Sequence, residues 1–307
     1  MVKLQVITFL TTCALVFQTG LPVYSQEQEN NYQFRVTVDL ISLTITVTDT
    51  RNRFVTDLLE EDFSLFEDGI SQEISVFSRE DLPIRMILLL DTSASMEKKL
   101  SFAKEAAINF VSEMKEDDLT EIFEFGNKPV VLQPFTNDIE KLRHAIEIAQ
   151  AGGPTQLYNA LYISLKSLYQ KRQDIRRQAI VVLSDGEDTS SLVTFERVME
   201  IAKDTDVTIY TISLRRQDKR RSSTFSEAEF VLKKLAEETG GQWFFPNELA
   251  ELKSVYARVA TELKSQYNIG YVSNNPQRDG SWRRVVVQTS YPNLLVRTKL
   301  GYYAPKQ

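Results

Sequence analysis

Three short segments of the sequence place oxygen-bearing side chains where an apolar run ends or a helix is predicted to start. In "ILLLDTSAS" the apolar run leads into Asp91, Ser93 and Ser95. In "AGGPTQLYNAL" Thr155 lies at a predicted helix start, and in "IVVLSDG" Asp185 follows a second apolar run. The set offers oxygen ligands and neither nitrogen nor sulfur, and hard divalent cations prefer such ligands. The sequence therefore predicts a metal site formed by Asp91, Ser93, Ser95, Thr155 and Asp185.

Such a site is suited to binding a partner. Mg²⁺ is the ion expected first, because it takes octahedral oxygen ligands and retains several waters, with Mn²⁺ and Ca²⁺ as alternatives. Two carboxylates and three hydroxyls leave a coordination position that the chain does not fill. We expect an acidic side chain of a partner protein to complete it. The sequence identifies neither that partner nor the oligomeric state.

Hydrophobic periodicity divides the chain into an α/β segment and two flanking β segments. Over 84–265, buried strands alternate with amphipathic helices, which favours a doubly wound, mostly parallel, Rossmann-like sheet with helices on both faces. Residues 32–82 and 266–304 show the period of two of half-buried strands, and Asp68-Gly69 is typical of a tight hairpin turn. Together the flanks approach the size of a small sandwich. We predict one antiparallel β-sandwich with the α/β domain inserted into it; two separate β appendages are the alternative.

The first 25 residues have the layout of a secretory signal peptide. One lysine, Lys3, precedes an apolar stretch from Leu4 to Phe17, and the small residue Ser25 marks the cleavage point. The stretch is short for a bilayer span, so no stable membrane span is expected after cleavage; an uncleaved anchor is the alternative. The only cysteine, Cys13, follows Thr12, which argues against a lipoprotein signal. The prediction is an exported protein, periplasmic or extracellular.

The charge distribution argues against nucleic acid as a partner and singles out one loop. The 307 residues carry a net charge of -6, whereas nucleic-acid-binding proteins present a basic surface. The stretch "LRRQDKRRSSTF" is an exception to this acidic background. A solvated loop is its ordinary interpretation, and a patch that steers an acidic partner is the functional one. Its basic residues are Arg215, Arg216, Lys219, Arg220 and Arg221.

The oxygen set, in this order along the chain, resembles the metal-ion-dependent adhesion site of von Willebrand factor type A domains. The pattern Asp91-x-Ser93-x-Ser95, Thr155 and Asp185-Gly186 carries the resemblance, and the order of elements over 84–265 is similar to that fold. The flanks resemble those of the bacterial VWFA-related proteins, through "TVTDTRNRFVTDLLEEDFSLFEDG" before the α/β segment and "QYNIGYVSNN" and "VRTKLGYYAP" after it.

The resemblance implies a role for each predicted ligand. Ser93 and Ser95 would bind the metal directly, and Thr155 directly or through water. Asp91 and Asp185 would act largely through water. The implied function is a divalent-metal-dependent protein-binding or adhesion module, with a scaffold of the cell envelope that holds a purely structural metal as the alternative.

Two classes of enzyme match the sequence less well. A haloacid-dehalogenase-like phosphatase would use Asp91 as nucleophile with a second acid two residues on. That position holds Ser93, so the general acid is missing. A serine hydrolase needs a histidine and a serine elbow, but the single histidine, His144, lies in a predicted amphipathic helix and no G-x-S-x-G occurs. We therefore predict a protein that is not an enzyme.

Overall fold

A computed structural model describes residues 39–79, 82–171, 176–185, 188–214 and 227–306. Within these ranges the chain forms fourteen strands and six α-helices. The strands are β1 (Leu40–Thr48), β2 (Phe63–Glu67), β3 (Ile70–Gln72), β4 (Ile74–Ser78), β5 (Ile84–Asp91), β6 (Leu119–Phe125), β7 (Pro129–Thr136), β8 (Arg177–Ser184), β9 (Val207–Ser213), β10 (Trp243–Phe244), β11 (Tyr267–Val272), β12 (Trp282–Thr289), β13 (Leu295–Arg297) and β14 (Gly301–Tyr303). The helices are α1 (Leu100–Ser112), α2 (Ile139–Ile148), α3 (Leu157–Gln170), α4 (Phe195–Lys203), α5 (Glu227–Thr239) and α6 (Leu252–Leu263).

Six strands form the central sheet in the order β10-β9-β8-β5-β6-β7. The pairs β5–β6, β5–β8, β8–β9 and β9–β10 are parallel, and β7 runs antiparallel to β6. The two middle strands, β5 and β8, are almost entirely buried. Continuous apolar runs suit this position because both faces of a covered parallel sheet are shielded from solvent.

Helices cover both faces of this sheet. On one face α1, α2 and α6 pack against Met86, Leu88 and Leu90 of β5. On the other face α3, α4 and α5 pack against Ile87 and Leu89. Successive residues of a strand point to opposite faces, so a single apolar run supplies both layers of the core. The predicted doubly wound α/β architecture is confirmed.

Two antiparallel four-stranded sheets are built from the strands on either side of the α/β segment. Their orders are β13-β1-β11-β4 and β14-β12-β2-β3. In each sheet a strand that precedes the α/β segment pairs with one that follows it: β1 with β11, and β2 with β12. Leu43, Ile45, Leu65, Ile269 and Val285 share one buried core. The N- and C-terminal segments therefore form the β-sandwich that the sequence predicts.

The hairpin turn predicted at Asp68-Gly69 joins β2 to β3. Both residues have positive φ, 48° for Asp68 and 82° for Gly69. Glu67 pairs with Ile70 across the two-residue loop. Positive φ at both central positions belongs to the turn whose twist matches that of the flanking strands, and this prediction is confirmed.

A buried polar cluster joins the sandwich to the α/β layers. Glu262 of α6 is fully buried and accepts hydrogen bonds from Tyr210 of β9 at 2.9 Å and from Thr46 of β1 at 3.2 Å. It also forms an ion pair with Arg297 of β13. Burial raises the pKa of Tyr210 well above its ordinary value, and the Glu262 carboxylate adds to the effect. The phenol therefore stays protonated and continues to donate.

The domain boundaries, the signal peptide and the basic loop stay predictions. The described residues form one compact unit, so the boundaries at 32–82, 84–265 and 266–304 remain predictions. The predicted signal peptide, 1–25, and the basic loop, 215–221, lie outside the described residues. In the described part of the chain no helix is both long and apolar enough to cross a membrane.

Candidate metal site

The site lies at the carboxyl ends of β5 and β8, which are neighbours in the central sheet. Asp91 is the last residue of β5 and is fully buried. Asp185 directly follows Ser184, the last residue of β8, and is also buried. Parallel strands end at the same edge of a sheet, so two segments that are distant in sequence bring their carboxylates together. Ser93 and Ser95 lie in the loop and short 3-10 turn that follow β5.

Hydrogen bonds connect four of the five predicted residues. The backbone N–H of Ser93 donates to Asp91 Oδ1 at 2.8 Å. The Ser93 and Ser95 hydroxyl oxygens lie 3.0 Å apart, and Ser95 Oγ donates to Asp185 Oδ1 at 2.7 Å. Asp91, Ser93, Ser95 and Asp185 thus form a continuous chain of contacts between the two strand ends. We refer to these four residues as the oxygen chain.

The Asp91 carboxylate is the most deeply buried group of the oxygen chain. Its Oδ2 accepts a hydrogen bond from the Ser184 hydroxyl at 2.7 Å, while Oδ1 is held by the Ser93 N–H. Burial raises the pKa of Asp91, the hydrogen bonds from Ser184 and Ser93 oppose the rise, and the nearby Asp185 carboxylate adds to it. A cation beside the two carboxylates would therefore stabilise the ionised form of Asp91.

The Asp185 carboxylate is shared between a hydroxyl and a cation of the chain. Oδ1 accepts from Ser95, and Oδ2 contacts the ammonium group of Lys99, which precedes α1. The sequence does not predict this contact. The position of Lys99, four residues after Ser95, gives no indication that its ammonium group reaches the end of β8.

Two loops meet beside the oxygen chain through backbone contacts. The Gly152 N–H donates to the Thr92 carbonyl at 2.7 Å, and the Ala94 N–H donates to the Gly153 carbonyl at 3.0 Å. Gly126, just after β6, lies beneath both loops. A Cβ at Gly126 would lie 2.7 Å from Thr92 O and 2.8 Å from Gly152 O, which is closer than side chains tolerate. The approach of the two loops therefore requires glycine at this position.

Thr155 enters the site on the second of these loops. It is buried, and its carbonyl accepts the N–H groups of Thr189 at 3.0 Å and Ser190 at 3.2 Å. Thr155 lies two residues before α3, and Gln156 occupies the N-cap position, so the threonine does not cap the helix. Among the described contacts, no hydrogen bond joins the Thr155 hydroxyl to the oxygen chain. The structure thus brings four predicted residues into contact and places the fifth on a loop that packs against theirs.

Asp188, three residues after Asp185, anchors the fold. Its Oδ1 accepts the Tyr158 N–H at 3.1 Å and the Ser191 hydroxyl at 2.6 Å, and its Oδ2 accepts the Ser191 N–H at 3.1 Å. Tyr158 lies in the first turn of α3, where backbone N–H groups need an acceptor from outside the helix. Asp188 therefore ties the loop after β8 to the start of α3.

The donor chemistry of the site fits a hard divalent cation. Over the described ranges there is no group of three or more His, Cys, Asp or Glu side chains that could hold a metal. A metal at this edge would thus rely on hydroxyl oxygens together with the carboxylates of Asp91 and Asp185. Mg²⁺ suits such a set, because it retains water ligands and needs few charged ones.

Comparison with known proteins gives matches at the level of family and of fold. Residues 86–187 match the family model described as von Willebrand factor type A domain. Over 186 residues the chain is 27% identical to an uncharacterized protein of Borreliella burgdorferi, and the match covers 53% of this chain and 54% of that protein. The chain thus spans about half the length of the curated relative it matches.

Solved structures match the chain at low sequence identity. A structure described as von Willebrand factor type A from Catenulispora acidiphila has a TM-score of 0.50 and 12% identity, covering 89% of this chain and 76% of that one. The von Willebrand factor domain of the type V pili tip protein from Porphyromonas gingivalis has a TM-score of 0.48 and 14% identity, covering 59% of this chain and 94% of that one. The first match extends beyond the α/β segment into the flanking strands.

Proposed function

We propose that the chain is a protein-interaction module of the von Willebrand factor type A kind, and that it binds its partner through a divalent cation at the ends of β5 and β8. The observation that carries the proposal is the oxygen chain, which links Asp91 to Asp185 through the backbone N–H of Ser93 and the hydroxyls of Ser93 and Ser95. The proposed ligands are Asp91, Ser93, Ser95, Thr155 and Asp185, and Mg²⁺ is the expected ion.

The residue types explain how such a site would recognise a partner. The hydroxyls of Ser93, Ser95 and Thr155 are neutral ligands, and Asp91, with both oxygens already hydrogen-bonded, would act through water. Few charged ligands would then touch the ion directly, which leaves it attractive to an incoming carboxylate. A partner's acidic side chain would fill the remaining position. Ion and partner would each raise the other's affinity, because coupling between two sites is reciprocal.

The surface around the site supports a role in recognition. Ala94 and Ser95 are exposed although Asp91 is fully buried, so the oxygen chain can be approached from solvent at its serine end. On the loop after β8, Leu192 is 94% exposed. Its backbone N–H donates to Asn159 Oδ1 at 3.1 Å, which fixes the loop. The exposed Leu192 side chain would give the partner an apolar contact besides the acid.

We also propose that the protein is exported and is not an enzyme. Export rests on the predicted signal peptide, 1–25. The proposal of a non-enzymatic role rests on Ser93, which stands where a phosphatase needs an acid, and on Asp188, whose oxygens are engaged in anchoring α3.

Capture experiments test the proposed function. The immobilised full chain should retain a partner from an envelope fraction in Mg²⁺ and release it when a chelator is added. The double variant Ser93→Ala/Ser95→Ala should capture nothing, and Ser101→Ala, an exposed serine of α1, should behave as wild type. Capture that survives both the chelator and the double substitution would contradict the proposal. A chelator that lowers the Tm without affecting capture would favour the scaffold with a structural metal.

A further inference from the structure

The proposed metal site already contains a cation of the chain itself. The Lys99 ammonium contacts Asp185 Oδ2, and the Ser95 hydroxyl donates to Oδ1 of the same carboxylate at 2.7 Å. The Asp185 side chain is 2% exposed and that of Lys99 is 23% exposed, so solvent screens the pair only in part. Both oxygens of Asp185 are thus engaged by groups of this chain.

A divalent ion and the Lys99 ammonium would compete for this carboxylate. Each is stabilised by the same negative charge, and the two cations repel one another. The lysine backbone is fixed at the start of α1, where the Ala103 N–H donates to the Lys99 carbonyl at 3.0 Å. The ammonium, however, sits on a flexible four-carbon stem. It can leave Asp185 while the helix stays intact.

We propose that Lys99 is a tethered counter-cation, which pairs with Asp185 in the ion-free protein and which a divalent ion must displace. The inference rests on the proposed function and identifies the residue that sets the affinity of its metal site. Displacement makes ion binding weaker than the ligands alone would give. It also releases an ammonium beside the position where the partner's carboxylate would bind. A partner's acid would then stabilise two cations, which strengthens the dependence of ion binding on the partner.

Removal of the Lys99 charge tests this inference. Lys99→Met keeps the length of the side chain, and Lys99→Arg keeps the charge. Lys98→Met is the matched control, because Lys98 is exposed and forms no ion pair with a described residue. Mn²⁺ binding to the full chain is measured by titration calorimetry, and the Tm is measured with chelator and with saturating Mn²⁺.

Lys99→Met should bind Mn²⁺ about tenfold more tightly than wild type or better, since one nearby positive charge is gone. Its Tm in chelator should fall because Asp185 loses its cation, and Mn²⁺ should raise that Tm by more than in wild type. Lys99→Arg and Lys98→Met should retain the weak binding of wild type.

Equal Mn²⁺ affinity and an equal Mn²⁺-induced gain in Tm for wild type and Lys99→Met would overturn the inference and leave the metal site standing. No Mn²⁺ binding by any of the four proteins would overturn the proposed site and the inference with it. If Lys99→Met does not fold, Lys99→Gln provides the same comparison, because its amide can still donate to Asp185.

Discussion

At the scale of single residues, the buried Asp91 carboxylate depends on the hydroxyl of Ser184. Ser184→Ala would remove the 2.7 Å hydrogen bond to Asp91 Oδ2 and leave that oxygen desolvated. Hydrogen bonds to charged groups contribute about 1.5–3 kcal/mol. We therefore expect the free energy of unfolding, measured by urea denaturation in chelator, to fall by about that amount.

Ser164→Ala is the control for this prediction. Ser164 of α3 is as deeply buried as Ser184, but its Oγ has no hydrogen-bond partner among the described residues. Its removal should leave the free energy of unfolding unchanged or slightly raised, because an unsatisfied hydroxyl is lost. An equal decrease in the free energy of unfolding for Ser184→Ala and Ser164→Ala would contradict the predicted contribution of the Ser184 hydrogen bond.

The oxygen-bearing residues of the site were predictable from the sequence, but the contact of Lys99 with Asp185 was not. Asp91, Ser93 and Ser95 stand out because polar oxygens interrupt an apolar run, and Asp185 does the same in a second run. The contact of Lys99 with Asp185 joins residues 86 positions apart in sequence and depends on how β5 and β8 are placed. Spacing along the chain carries no information on such a pair.

At the scale of elements, the site depends on how closely two loops approach over Gly126. Gly126→Ala would force a Cβ against the carbonyls of Thr92 and Gly152 and push apart the loops that carry Ser93 and Thr155. The expected result is loss of Mn²⁺ binding with a smaller effect on the Tm, because the strands beneath are unchanged. Titration calorimetry and thermal unfolding measure the two quantities.

Gly152→Ala is the matched control, since a Cβ at Gly152 would meet no atom within 4 Å and its φ is not positive. It should bind Mn²⁺ as wild type does. Retention of normal Mn²⁺ affinity by Gly126→Ala would show that the close approach of the loops is not needed.

In the sandwich, one buried carboxylate accepts hydrogen bonds from four side chains. Glu67 of β2 accepts hydrogen bonds from Tyr271 and Tyr302, each at 2.8 Å, from Ser273 at 2.6 Å and from Arg283 at 3.1 Å. Burial raises the pKa of Glu67, but the hydrogen bonds from Ser273, Tyr302, Tyr271 and Arg283 outweigh it and hold the pKa below its ordinary value. The ionised form therefore ties β2 to β11, β12 and β14.

Glu67→Gln should destabilise the protein by about 3–5 kcal/mol at pH 7, because the buried guanidinium of Arg283 loses its counter-charge. A carboxyl with a depressed pKa contributes stability above its unfolded pKa of about 4.3, and the contribution is lost as pH falls through the folded pKa. The difference between wild type and variant should therefore shrink below about pH 4. Urea denaturation across pH measures it, with the exposed Glu73→Gln as control. A difference that does not vary with pH would contradict this account.

Most elements were predictable because their periodicity is strong. The runs that form β5 and β8 are continuous and apolar, and the hairpin at Asp68-Gly69 follows from residues that tolerate positive φ. The place of Thr155 was not predictable, since a hydroxyl near a helix start usually caps it. Here the backbone of its loop is held by the neighbouring segments, and Gln156 takes the N-cap position.

At the scale of the whole molecule, the strands after the α/β segment complete the sheets of the strands before it. A chain that ends at Gln266 would lack β11 to β14. Strand β1 would then lose both of its partners, β2 would keep only β3, and the apolar side chains of Leu43, Ile45 and Leu65 would be exposed. Unpaired edges and apolar faces favour aggregation. We expect the truncated chain to aggregate in size-exclusion chromatography with light scattering.

A chain that ends at Leu300 is the control, because it loses only the edge strand β14 and the residues after it. It should remain soluble. If the chain ending at Gln266 is as soluble and as heat-stable as the full chain, the terminal segments do not form one sandwich.

The sequence predicts the shared sandwich from the size of the two flanks, but it does not predict the cluster around Glu262 that joins the sandwich to α6 and β9.

The most direct test of the account is a measurement of Mn²⁺ binding to the full chain. Electron paramagnetic resonance distinguishes the free ion from the bound ion. The account predicts one bound Mn²⁺ in wild type, no bound Mn²⁺ in Asp185→Asn or in Ser93→Ala/Ser95→Ala, and displacement of Mn²⁺ by Mg²⁺. Asp117→Asn removes an exposed acid that precedes β6, at the amino-terminal edge of the parallel strands and so at the opposite edge of the sheet from the site, and this variant should bind as wild type does. Absence of bound Mn²⁺ in wild type, or equal binding by wild type and Asp185→Asn, would contradict the claim that the ends of β5 and β8 hold a divalent cation.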